Sequence, residues 1–200
     1  MLVGLPVFGF SLVCNILFNL TGVGDKYPLL RIIFDDLVLT AFSEELMKFL
    51  CAGKMIRKNR AVISYLDVIA YPAIVAVGFE LVESVVYLFS SSPMQILVRG
   101  VTNMHAAFGL MQGFFLAQGF RKNRKAPQIL AILIPTLIHA LYNFGLGKTM
   151  VNTAWGGVSF LLAALCLVLN IVAVFRILKA RKDPELTCPL FASEDREGCA

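Results

Sequence analysis

The run Ser43-Glu44-Glu45-Leu46-Met47-Lys48 sets two carboxylates side by side with an ammonium just beyond them. Further on come Phe79-Glu80-Leu81-Val82-Glu83, then His105 and His139, the two histidines of the chain, with Asn143 one helical turn past His139. All of these residues lie inside apolar runs. An ionised side chain at the centre of a membrane helix costs about 2.5 to 3.5 kcal/mol, so four carboxylates there would cost on the order of 10 kcal/mol together. Packing alone does not favour that expense, and a lone intramembrane Glu or His is as often a structural hydrogen-bond partner as a working group. Four successive apolar segments that each supply one point to a site. Its parts match peptide hydrolysis: a carboxylate takes a proton from water, an imidazole shares that work or holds a metal, and an amide such as Asn143 donates to the developing oxyanion.

The elements that must position these groups are membrane helices. Of 200 residues 58% are hydrophobic and 16% charged, and the mean hydropathy is +0.77. A soluble domain is less apolar and more charged than this. The composition also excludes a disordered chain, a collagen and a disulfide scaffold, and the five cysteines lack CxxC spacing, so they read as reduced. The expected fold class is all-α, a polytopic integral membrane bundle with its active site inside. About six transmembrane helices are expected, near residues 2–20, 30–52, 62–89, 96–120, 129–147 and 155–178. Residues 1–182 then form a single transmembrane protease domain, and 183–200 a short cytoplasmic tail.

Orientation follows from the cations. Lys54, Arg57, Lys58 and Arg60 form one cluster; Arg121, Lys122, Arg124 and Lys125 a second; Arg176, Lys179, Arg181 and Lys182 a third. They alternate with connections that carry only Lys26, Arg99 or Lys148, which places both termini in the cytoplasm by the positive-inside rule. The net charge of +5 therefore speaks of topology in a lipid bilayer, and without interleaved aromatics or a reading module it does not indicate nucleic acid. Within the second span Glu44 and Lys48 share a helix face, which predicts an ion pair between them with Glu45 turned about 100 degrees away. At 1.5 Å per residue, Glu83, His105 and His139 lie about 9 to 13 Å from the outer ends of their helices, in one slab.

In chain order the motifs are EExxK from Glu44 to Lys48, FxxxE from Phe79 to Glu83, HxxxG from His105 to Gly109 and HxxxN from His139 to Asn143. This series resembles the PrsW family of intramembrane proteases, distantly related to the CAAX-protease and Abi membrane proteins, over roughly residues 30–147. The resemblance implies a multi-pass protease of the bacterial plasma membrane that makes the first, extracytoplasmic-side cut in a membrane-anchored anti-sigma factor, which starts regulated intramembrane proteolysis. It implies catalytic roles for Glu44, Glu45, Glu83, His105 and His139, an oxyanion-donor role for Asn143 and a supporting role for Lys48. The CAAX relatives instead carry EExxxR and FxxxH, so Lys48 and Glu83 place the chain on the PrsW side. Departures are Glu83-Ser84 where relatives often carry EN, and Glu80 at a position usually small or apolar; Glu80 is taken as a local structural partner. The favoured mechanism needs no cofactor, with water activated directly by Glu and His, because HExxH is absent; zinc held by His105, His139 and Glu83 is the alternative.

Other motifs carry less. Gly22-Val23-Gly24-Asp25 matches GxGD of the aspartyl intramembrane proteases, but that chemistry needs two facing aspartates within helices, and Asp25 precedes Lys26-Tyr27-Pro28 in an apparent outer loop. Gly147-Lys148-Thr149 lacks the first glycine of a P-loop, where Tyr142 stands, and Asn19-Leu20-Thr21 is a chance sequon. Outside proteolysis, a proton- or ion-coupled transporter predicts discontinuous helices or inverted repeats, and a non-catalytic membrane scaffold predicts small-residue docking faces.

Overall fold

The computed structural model describes residues 16–58, 64–89 and 104–146, with scattered positions before 16, at 96 and between 161 and 182. The expected spans at 2–20 and 155–178 lie largely outside the described residues, and the tail at 183–200 wholly so. Among the described residues every regular element is helical. A single turn at Val23–Lys26 precedes α1 (Pro28–Ile33), which Pro28 opens with its preset φ in the first turn. A π-helical stretch, Phe34–Phe42, then runs into α2 (Ser43–Lys58) with helical dihedrals at both junctions. The span expected at 30–52 is thus part of one helical run from Pro28 to Lys58. Ser43 explains part of the widening: its Oγ donates to the carbonyls of Leu39 and Thr40, pulling them from the regular ladder.

Helices α3 (Tyr65–Leu88), α4 (Met104–Lys122) and α5 (Lys125–Leu146) complete the bundle. Ser64 and Asp67 cap the start of α3 reciprocally, with the carboxylate accepting from the Ser64 N–H and Oγ at 2.9 Å and Ser64 Oγ accepting from the Asp67 N–H at 3.3 Å. Asn123, at a φ of 47°, closes α4 in the left-handed conformation, and the Arg124 N–H returns to the Gly119 carbonyl. This tight reversal makes α4 and α5 antiparallel neighbours.

Two glycines bring α4 against α3. A Cβ on Gly109 would stand 2.6 Å from the Pro72 carbonyl oxygen, and one on Gly113 would strike the Ile69 backbone, so the small face is a condition of the helix contact. Apolar packing lies toward both ends: Ile56, Val68, Ile69, Leu116 and Ala117 in one cluster, Met104, Phe108 and Tyr142 in the other. The outward faces are apolar as well, with Leu81, Val85, Leu137 and Leu141 exposed, a surface that suits lipid better than water. Of the about six spans expected, the described residues include two helices long and apolar enough to cross a membrane, Tyr65–Val85 and Lys125–Phe144.

Candidate active site

Glu45 is the centre of a buried polar cluster. The π-helical run and α2 carry Glu44, Glu45 and Lys48 into the bundle; α3 brings Glu80 and Glu83, α4 brings His105 and Gln112, and α5 brings His139. Glu45, Lys48 and Gln112 are fully buried and Glu44, Glu83, His105 and His139 nearly so, although none is apolar. Burial on this scale is tolerable only because each group finds a hydrogen-bond partner or an opposite charge.

The partners form a chain. Lys48 Nζ donates to Glu45 Oε1 at 2.8 Å and to His105 Nδ1 at 2.6 Å. Since an ammonium only donates, His105 Nδ1 is the acceptor, and its Nε2–H faces Glu83 Oε2 at 2.8 Å. His139 Nδ1–H faces Glu45 Oε1 at 3.0 Å, since the carboxylate can only accept. Each imidazole is therefore oriented by a carboxylate, His139 by Glu45 and His105 by Glu83. The rings meet edge to face at 5.1 Å between centroids; Phe108 stacks on His139 at 5.1 Å, and Phe79 lies edge-on to His105 at 5.0 Å. Lys48 Nζ also sits 4.4 Å from the Phe79 ring centroid, a cation–π position.

Most of the residues picked out in the sequence come together, with two corrections, at Lys48 and Glu80. Lys48 reaches Glu45 at 2.8 Å and Glu44 at only 3.7 Å, so the expected Glu44–Lys48 pair is the weaker of the two: residues three apart on a helix also share a face, and Glu45 points inward. Glu80, set aside as a local partner, does accept from Ser84 Oγ at 3.4 Å, yet its Oε2 also lies 3.6 Å from His105 Nε2. Asn143 is half-buried on α5, and its side chain enters none of the hydrogen bonds that tie the cluster together. Gln112 was not anticipated. Its Nε2 donates to both the carbonyl oxygen and Oε2 of Glu45 at 2.9 Å, and the available signal was its position two turns after His105, on the same face of the helix.

Donor atoms able to hold a metal ion fall into two groups among the described residues. Glu44, His105 and His139 form one and Glu80, Glu83 and His105 the other, each closing within 4.8 Å. The combination expected for zinc, His105, His139 and Glu83, is divided between them, because Glu83 lies on the side of His105 away from Glu45.

Fold and site together define a helical membrane protein with a buried Glu/His centre. Over residues 1–177 the chain matches the model of the family described as PrsW family intramembrane metalloprotease, and it belongs to that family. It is similar to Protease PrsW of Oceanobacillus iheyensis, 24% identical over 181 residues that cover 88% of this chain and 81% of the relative. It is also similar to Protease PrsW of Clostridioides difficile, 26% identical over 74% of this chain and 62% of the relative, and to Protease PrsW of Bacillus subtilis, 27% identical over 56% and 53%. The chain thus spans between about half and four fifths of these relatives. No solved structure matches it. Family membership marks the chain as a membrane protease.

Proposed function

We propose that this protein hydrolyses a peptide bond of a membrane-anchored protein substrate, an anti-sigma factor in the first step of regulated intramembrane proteolysis, from the bacterial plasma membrane with both termini cytoplasmic. The observation that carries the chemistry is the pair of carboxylate-oriented imidazoles, Glu45–His139 and Glu83–His105, facing each other inside an apolar bundle.

In this reading Glu45 and Glu83 fix the ring orientations, and Lys48 balances the negative charge between them. Three side chains already donate to Glu45, so the proton acceptor is Glu44, the more open carboxylate of the pair. Glu44 takes a proton from water as the oxygen attacks the scissile carbonyl carbon, and Asn143, on the His139 face one turn further on, donates to the oxyanion. The C–N bond then breaks as the proton taken up by Glu44 passes through His139, held by Glu45, to the departing amine. The scaffold reading leaves this network without a purpose.

The family description names a metal, and the donor set fits one: a carboxylate and two imidazoles, all buried and closing within 4.8 Å. Glu44, His105 and His139 would hold it, and a metal there supplies Lewis-acid polarisation of the carbonyl and a more acidic water. The metal-independent reading draws on Lys48, whose ammonium occupies Nδ1 of His105 and balances the same carboxylates. The two readings separate in a cleavage assay with a co-reconstituted library of single-span anti-sigma factors, run on the wild type and on Glu44→Gln and Glu45→Gln, with and without a zinc chelator. Cleavage lost in both variants but surviving chelation establishes the glutamate mechanism; cleavage lost on chelation and restored by added zinc establishes the metal. Wild-type cleavage by a variant lacking both Glu44 and Glu45 overturns the assignment.

A further inference from the structure

At the opposite end of the bundle from the polar cluster, a cavity of about 330 Å³ opens between the start of α3 and the end of α4. Ile69, Phe114 and Ala117 form its apolar wall, and Tyr65, Gln118, Arg121 and Lys122 its mouth. Phe114, Gln118, Arg121 and Lys122 fall on one side of α4 by their spacing, so the lining changes from apolar to cationic along about 12 Å of helix. Tyr65 begins the stretch of α3 able to cross a membrane, so the mouth sits where a headgroup region meets hydrocarbon. Arg121 lines this mouth and makes a contact of its own. The last carbonyls of α4 would oppose an anion, but those of Gly119 and Phe120 are satisfied by the N–H groups of Arg124 and Asn123. Asp67, two residues past Tyr65, accepts from Ser64 and makes a further contact of its own.

We propose that this cavity binds one anionic phospholipid from the leaflet facing the basic end, with its phosphate between Arg121 and Lys122 and the first carbons of an acyl chain along Phe114 and Ile69. Charge complementarity at the mouth and the apolar slot beneath it select a lipid over a soluble anion: phosphate alone would use the cations and leave the slot empty. The site is distinct from the polar cluster and does not depend on the proteolytic reading.

Native mass spectrometry of the full chain, released from bilayer discs of phosphatidylcholine mixed with phosphatidylglycerol, tests this directly. The wild type retains one phosphatidylglycerol in preference to phosphatidylcholine. Arg121→Ala combined with Lys122→Ala lowers that retention about thirtyfold, the loss expected for two cations at a membrane surface. Lys54→Ala with Arg57→Ala removes the same charge from α2 and leaves retention unchanged. Gln118→Trp keeps every cation but fills the slot, and it also abolishes retention. Equal losses in the two charge-removing pairs, full retention in Gln118→Trp, or displacement of the lipid by excess inorganic phosphate would each overturn the proposal.

Discussion

Glu45 Oε2 and the Glu45 backbone carbonyl share one donor, the Gln112 amide, so a single side chain sets both the rotation of the carboxylate and its distance from α4. Replacing Gln112 by Leu removes a hydrogen bond to a charged group in the bundle interior, a loss of about 1.5 to 3 kcal/mol, and lets the carboxylate swing relative to His139. The expected outcome is a cleavage rate lowered by about tenfold or more, with substrate affinity little changed. Comparing initial rates with equilibrium binding of the same substrate checks it; a variant that binds weakly but cuts at the normal rate would place Gln112 outside the catalytic frame. The carboxylates and imidazoles were legible in the sequence because each is an expensive residue in an apolar run. Gln112 was not, because an uncharged amide costs too little there to stand out. The preference of Lys48 for Glu45 was equally hidden, since the spacing permits both pairings and only the rotation of α2 decides between them.

That rotation belongs to the elements. The π-helical stretch at Phe34–Phe42 is only nine residues long, too short for apolar periodicity to show its wider winding, and sequence alone placed the second span at 30–52 without it. The reciprocal cap at Ser64 and Asp67, by contrast, is written in residue types at fixed offsets. The α3–α4 contact yields a paired prediction about glycine. Gly113→Ala drives a methyl group into the Ile69 backbone, whereas Gly78→Ala on α3 meets open space. The first is expected to destabilise the bundle by about 1 to 3 kcal/mol and to part His105 from Glu83, with loss of cleavage. The second is expected to stabilise it by up to about 1 kcal/mol, because alanine surrenders less backbone freedom in a helix. Thermal unfolding in detergent measures both, and equal effects of the two substitutions would show that α3 and α4 are not held at glycine distance.

For the whole molecule, charge and depth must agree. Lys54, Arg57 and Lys58 close α2, Arg121 and Lys122 close α4, and Lys125 opens α5, so, the buried Lys48 apart, the described cations of three helices gather at one end. Counted from that end at 1.5 Å per residue, Glu45 lies about 20 Å away, His139 about 21 Å, His105 about 26 Å and Glu83 about 27 Å. Across a hydrocarbon core of about 30 Å this puts the cluster in the half of the bilayer remote from the cations, the outer half if the basic end is cytoplasmic. The depth of the cut and the orientation of the chain are therefore one question. In a variant with all native cysteines replaced by serine, a cysteine at Arg124 is expected to react with a membrane-impermeant maleimide only in inside-out vesicles, and one at Phe89, exposed at the far end of α3, only in right-side-out cells. The opposite labelling would turn the bundle over, carry Glu45 and both histidines to the cytoplasmic side, and leave the substrate's extracytoplasmic segment out of their reach, which would remove the anti-sigma-factor reading while leaving a protease in place.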